Sequence, residues 1–163
     1  MTNRYLLKEK FWSFGDNFTI RDEQENECYT VEGEIFSFGD KLTVRDMAGN
    51  EVAYISEKVF TWGHNYEIHR PGHGVVQVAK EHFTFFHCKF TADGPGDEDY
   101  EAKGDFFDQE YEFTRGGDLV ARVSKRWFSW TDHYGIEIAA SEDPVLLLAT
   151  AVVIDLVCHE TKD

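Results

Sequence analysis

Cysteine is scarce and oddly counted: Cys28, Cys88 and Cys158 stand far apart, and no two form a C-x-x-C pair. That spacing excludes a disulfide framework and points to reduced, buried thiols in a cytoplasmic protein. Proline is as rare, at three residues, and the 13 glycines are dispersed, so no segment is collagen-like or low in complexity. Positive charge is also short, with 16 Lys and Arg against 31 Asp and Glu and a net charge of −15. Such a balance excludes a nucleic-acid partner, which needs basic patches, and opposes general adhesion to anionic membranes. It suits a surface that keeps the chain soluble, as in a salt-rich cytoplasm. No apolar run reaches the ~18–20 residues of a membrane-spanning helix. The start, Met1 to Lys10, carries Arg4, Lys8, Glu9 and Lys10 and lacks the apolar stretch of a signal peptide.

Local catalytic signatures are missing too. There is no G-x-S-x-G, phosphate loop, G-x-G-x-x-G or H-E-x-x-H. Nothing in the spacing of Ser, His and Asp nominates a triad. The reading is therefore a non-enzymatic chain with no cofactor.

What is present is a repeat. WSFGDNFTIRD at 12–22, FSFGDKLTVRD at 36–46 and FTWGHNYEIH at 60–69 begin 24 residues apart. In each, an aromatic (Phe14, Phe38, Trp62) precedes a glycine (Gly15, Gly39, Gly63), and an alternating segment follows. Phe18 and Ile20, Leu42 and Val44, and Tyr66 and Ile68 recur at period two, the mark of a strand with one wet face. Glycine between two such runs makes each unit a hairpin. A longer duplication relates GNEVAYISEKVFTW at 49–62 to GDLVARVSKRWFSW at 117–130, an offset of 68. About twelve short strands are expected before residue 141, the spacing of an all-β sandwich or barrel. Aromatics at 15% fit half-buried pleated surfaces. The acidic, turn-rich stretch from Ala92 to Asp105 reads as a surface loop between two β halves.

The period then changes. Asp143 is a good N-cap, Pro144 suits the first helical position, and Val145 to Ile154 is apolar except for Thr150. A helix apolar all round is buried. Over 144–158 it would span roughly 22 Å, matching a six-residue strand of about 20 Å. It reads as a plug through a closed sheet rather than a membrane-inserting tail. Asp155 near its end opposes the helix dipole. It faces solvent at the barrel mouth, or it is buried beside a partner such as Lys or Arg.

Three other groups invite a functional reading. His64, His69, His73, His82 and His87 crowd one stretch with Cys88, but their spacing matches no zinc pattern, and 69–73 crosses Pro71-Gly72. Asp93, Asp97, Glu98, Asp99 and Glu101 lack calcium-loop spacing and read as solvated acids. A small metal-dependent hydrolase using either stretch is the alternative function. The Arg-Asp pairs at 21–22 and 45–46 read as turn caps with weak ion pairs. Lys125 and Arg126, beside Trp127 and Trp130, form the one compact basic-aromatic spot, able to take an anionic lipid headgroup.

The repeated Phe-Thr-Ile-Arg-Asp and Leu-Thr-Val-Arg-Asp, the Gly49-Asn50 turn, the Gly-Asp hairpins, Gly104-Asp105-Phe106 and the final Val153-Ile154-Asp155 have a familiar order. Over nearly the whole chain the sequence resembles the LURP-one-related family, related in fold to tubby C-terminal domains and phospholipid scramblases. The resemblance implies one domain over 1–163, with strands from 4 to 140 and a core helix at 144–158. It implies a closed antiparallel barrel of about twelve strands around a central hydrophobic helix, β-dominated with one helix. Its functional implication is a soluble binding or scaffold module whose partner is a phospholipid or a protein. Plant members are linked to defence, tubby relatives bind phosphoinositides through basic residues, and scramblases are membrane proteins. This chain lacks a clear basic lipid pocket, a cysteine-rich palmitoylation run and a spanning helix, and no catalytic residue carries over.

Overall fold

The computed structural model describes residues 2–8, 17–36, 39–58, 65–82, 88–94, 99–127 and 133–160. Twelve strands run in order: β1 Thr2–Lys8, β2 Phe18–Asp22, β3 Glu27–Phe36, β4 Gly39–Asp46, β5 Glu51–Glu57 and β6 Asn65–His69. Then follow β7 Val75–His82, β8 Cys88–Asp93, β9 Tyr100–Asp105, β10 Glu110–Arg115, β11 Asp118–Ser124 and β12 His133–Ala139. Each pairs antiparallel with its neighbours in sequence, and β1 pairs with β12 from Thr2↔Ala139 to Lys8↔His133, which closes the barrel. Closure leaves no unpaired edge to template aggregation. α1, Pro144–Glu160, threads the interior.

The period-two alternation decides which side chains enter. Phe18 and Ile20, Leu42 and Val44, and Tyr66 and Ile68 all point inward and are buried. Every residue of α1 from Val145 to Cys158 is buried as well. The Thr150 hydroxyl is satisfied by donating to the Leu146 carbonyl at 2.8 Å, so a polar residue fits an otherwise apolar helix. The Asp143 carboxylate caps the helix by accepting from the Val145 amide at 3.0 Å, and it pairs with Arg70. α1 lies closest to β5, β6 and β12. Ala53, fully buried on β5, leaves room for that approach.

The repeats map onto the barrel's symmetry. A step of 24 residues is two strands, one hairpin. The offset of 68 carries β5 onto β11, six strands around a ring of twelve, so the duplicated strands stand on opposite walls. Ala53 and Ile55 on β5 and Ala121 and Val123 on β11 are buried alike. Gly39 opens β4; Gly15 and Gly63 lie outside the described residues.

The two Arg-Asp motifs end in the same turn. Asp22 Oδ1 accepts from the Gln24 and Asn26 amides, each at 2.9 Å, and Oδ2 accepts from Asn26 Nδ2 at 3.2 Å. Asp46 accepts from the Ala48 amide at 3.0 Å, the Asn50 amide at 2.9 Å and Asn50 Nδ2 at 3.3 Å. Both follow a register shift, after Ile20 and after Val44. The left-handed position is filled by Gly49 in one turn and by Glu25, at φ 67°, in the other. Arg21 lies 3.6 Å from Glu27 and Arg45 3.3 Å from Glu32, the exposed, weak pairs expected.

These turns make the fold acid-sensitive. Hydrogen bonds, foremost that from the Asn50 amide, hold the Asp46 carboxyl below its ordinary value of 3.8. For Asp22 desolvation pulls upward, but the bonds from Asn26 and Gln24 outweigh it. A carboxyl lowered on folding contributes stability above its unfolded value, and that contribution is lost as pH falls through the folded value. Asp46→Asn is therefore expected to be less stable than the parent near neutrality. The difference should shrink below about pH 4 and vanish in stronger acid. Urea unfolding at a series of pH values checks this: a gap that stays constant into strong acid would show that the turn does not depend on the ionised carboxylate.

One expectation needs correction. The stretch from Ala92 to Asp105 is not one loop: Ala92 and Asp93 finish β8, and Tyr100–Asp105 is β9. The reason is alternation hidden under charge, since Tyr100 and Ala102 point inward while Glu101 and Lys103 face out.

Candidate ligand-binding site

The barrel interior is filled by α1, which directs attention to surface grooves and to the ends. The Lys125-Arg126-Trp127 segment leaves the end of β11 toward β12. Glu110 on β10 organises it. Its Oε1 accepts from the Ser124 hydroxyl at 2.8 Å and from the Lys125 amide at 3.2 Å, and it lies 3.7 Å from Arg126 Nε. The Arg126 amide in turn donates to the Ser124 hydroxyl at 3.1 Å. The backbone is thereby pinned while the Arg126 side chain, 85% exposed, projects into solvent. Trp127 is half-buried, and the Arg4 guanidinium sits 4.9 Å above its ring centroid. Arg4 is oriented by Glu137 at 2.7 Å. Trp130 lies outside the described residues.

Arg4, Glu110 and Ser124 are thus parts of this spot that sequence reading missed. Ser124 directly precedes Lys125, but no local signal could have found Arg4 or Glu110, because strand pairing brings them from β1 and β10. A groove of about 300 Å³ adjoins them, lined by Lys103, Gly104, Glu110, Tyr111, Glu112, Arg122 and Val123. Its charges largely cancel, with Arg122 donating twice to Glu112 Oε1, at 3.1 and 2.8 Å.

At the opposite end a second groove, about 320 Å³, is lined by Thr91, Asp93, Asp99, Tyr100, Glu101, Thr114, Gly116 and Gly117. Beside it the Tyr100 hydroxyl donates to Glu142 at 2.9 Å, and Arg115 donates to the other carboxylate oxygen at 2.6 Å. Burial, and then the neighbouring Glu142 carboxylate, push the Tyr100 hydroxyl up to about 12. A phenol so shifted stays protonated near neutrality. This cluster ties the entry of α1 to β9 and β10.

Asp155 is fully buried, and Gln109 Nε2 donates to its Oδ1 at 2.7 Å. Nearby Tyr111 has a buried hydroxyl without a hydrogen-bond partner among the described residues, held well above its usual value by burial first and then by Asp155. Among the described residues the histidine stretch forms no group that could hold a metal ion. His69 lies 3.1 Å from Glu67, and His73 sits exposed on the β6–β7 turn. His82 lies on β7, while His64 and His87 fall outside the described residues. In the acidic stretch Asp99 accepts from the Gly94 amide at 2.9 Å, and Asp97 and Glu98 are likewise outside. Among the described residues no three His, Cys, Asp or Glu come together in a way that could hold a metal ion.

A closed twelve-stranded antiparallel barrel around a buried C-terminal helix is the class of protein these observations define. The LURP-one-related family model matches residues 3–155, and the chain belongs to that family. It is 37% identical over 158 residues to the uncharacterized protein YxjI of Bacillus subtilis (strain 168), a match covering 97% of this chain and 95% of that one. An X-ray structure of an Arabidopsis thaliana protein superposes with a TM-score of 0.65 at 15% identity, over 94% of this chain and 90% of the other, and shares the fold. No helix among the described residues is long and apolar enough to cross a membrane.

Proposed function

We propose that the chain acts in the cytoplasm as a non-enzymatic binding module, one domain over 1–163, taking an anionic headgroup at Lys125, Arg126 and Trp127. The observation that carries this reading is an exposed guanidinium on a backbone fixed by Glu110, next to an indole that already accepts a cation on one face. A phosphate would gain charge-assisted hydrogen bonds from Arg126 at little ordering cost, because the segment is already held. The stacked Trp127 supplies an apolar floor.

Calorimetric titration with a soluble inositol phosphate tests it. Binding is expected at low salt and should weaken as salt rises. Arg126→Glu, at an exposed position, should lower the affinity about tenfold or more while leaving thermal unfolding unchanged. No heat with the parent chain, or equal binding by the variant, would remove this site from consideration.

A further inference from the structure

The groove of about 320 Å³ at the end where α1 begins is built on β8, β9, β10 and the turn after β10. Strand pairing makes its floor. Thr91 on β8 stands opposite Glu101 on β9, and Glu101 stands opposite Thr114 on β10. All three are on the outward side of the alternation, since Phe90, Ala92, Ala102 and Phe113 fill the core. Asp93, at the end of β8, and Asp99, just before β9, flank this row. Leu119 follows Thr114 in register on β11 and is 51% exposed.

Two features separate this groove from an ordinary solvated acidic surface. Thr91 is only 9% exposed and lines the groove, yet its hydroxyl makes no hydrogen bond among the described residues. A polar group so deeply buried ordinarily has a partner, and here the open side is the groove itself. The Thr114 hydroxyl beside it makes no such bond either. The second feature is that the acceptors are strung out rather than gathered. Asp99 accepts from the Gly94 amide at 2.9 Å, and Glu101 lies 3.4 Å from Lys89 Nζ and 3.6 Å from Lys103 Nζ. Among the described residues no three carboxylates converge in a way that could hold a metal ion. A bare divalent cation needs several converging oxygens and does not match. A cation whose donors are spaced along a chain does.

From this row of acceptors we propose that the groove binds an elongated organic cation of the aliphatic polyamine class. One ammonium group donates to Asp93 and Asp99, a second donates to Glu101 and the Thr91 and Thr114 hydroxyls, and the methylenes run toward Leu119. The volume is at the small end of small-molecule sites, which suits such a ligand better than a folded partner. The net charge of −15 raises the local concentration of any cation, and the groove supplies the selectivity. This site is at the other end of the barrel from Arg126 and does not depend on the headgroup reading.

Calorimetric titration of the parent chain with spermidine at low salt tests the proposal, and saturable binding is expected. Asp99→Asn keeps an acceptor for the Gly94 amide and should weaken binding about fivefold or more. Thr91→Val, nearly the same shape, should weaken it about threefold or more. Glu51→Gln removes the same charge from exposed β5, away from the groove, and should bind as the parent does. On the parent chain itself, amide chemical shifts induced by spermidine should cluster at Thr91, Asp99, Glu101 and Gly116, a readout that needs no variant to fold. No heat with the parent overturns the proposal. So does an equal loss in Glu51→Gln and Asp99→Asn, or shifts spread evenly over the exposed carboxylates, because either would mean a diffuse counter-ion cloud. Tighter binding of Nα-acetyl-lysinamide than of spermidine would assign the groove to a protein's lysine and overturn the polyamine assignment.

Discussion

Gly104→Ala is expected to be among the most damaging single substitutions in this chain, costing about 3 kcal/mol or more. Gly104 sits on β9 opposite Tyr111 at φ 141°, a backbone conformation that a side chain strongly disfavours. A Cβ there would stand 2.7 Å from the Glu110 carbonyl oxygen, 2.7 Å from Tyr111 Cα and 2.8 Å from Tyr111 Cβ. Those are main-chain and root atoms, unable to swing aside, so β10 itself would have to move. Tyr111 packs against Phe106 and Phe113, and the disturbance would pass directly into the aromatic core. Gly33→Ala is the internal control. Its nearest neighbour would be Leu42 Cδ2 at 3.2 Å, the end of a flexible side chain, and a cost below about 1 kcal/mol is expected. Urea unfolding of both variants makes the comparison. Equal losses would mean that the close approach of β9 and β10 is not what selects glycine at 104.

The second large effect lies at the far end of α1. Gln109→Ala should destabilise by about 2–4 kcal/mol, because it removes a donor from a carboxyl group that is itself fully buried. Gln109 holds φ 56° in the β9–β10 turn, and alanine there would bear the same backbone strain. The difference therefore reports the side chain. Asp155→Asn should cost less, since an amide oxygen can still accept from Gln109 Nε2. Thermal unfolding of the two variants and their combination measures the coupling. A double variant whose loss equals the sum of the singles would mean that the two side chains do not act together. The pair joins the β9–β10 turn to the last turns of the helix, so its loss should free that end of α1 before the capped, Arg70-paired beginning. Hydrogen exchange along the helix would show such a gradient.

These two sites also mark where sequence reading stops. The sequence says that a buried Asp155 needs a partner, but not that the barrel brings it Gln109 from 46 positions away. Gly104 carries no local sign of the clash that selects it, because that clash is with the neighbouring strand. Arg4 reaches Trp127 only through closure of β1 on β12. In β9 the charged Glu101, Lys103 and Asp105 read as loop, although they are the outward half of an alternation whose inward half is Tyr100 and Ala102.

The sequence by itself determined the strands, the faces they bury and the helix that fills them. Alternation at Phe18 and Ile20 or Leu42 and Val44 states which side is wet, and an unbroken apolar run behind Asp143 and Pro144 states that the helix is enclosed. Those properties belong to a segment of chain and follow from the periods of strand and helix. Only the tertiary structure decided who meets whom: Glu110 with Ser124 and the Lys125 amide, Gln109 with Asp155, Tyr100 and Arg115 with Glu142. Partners and ends are set by register and closure around the whole ring, and no window along the chain contains them.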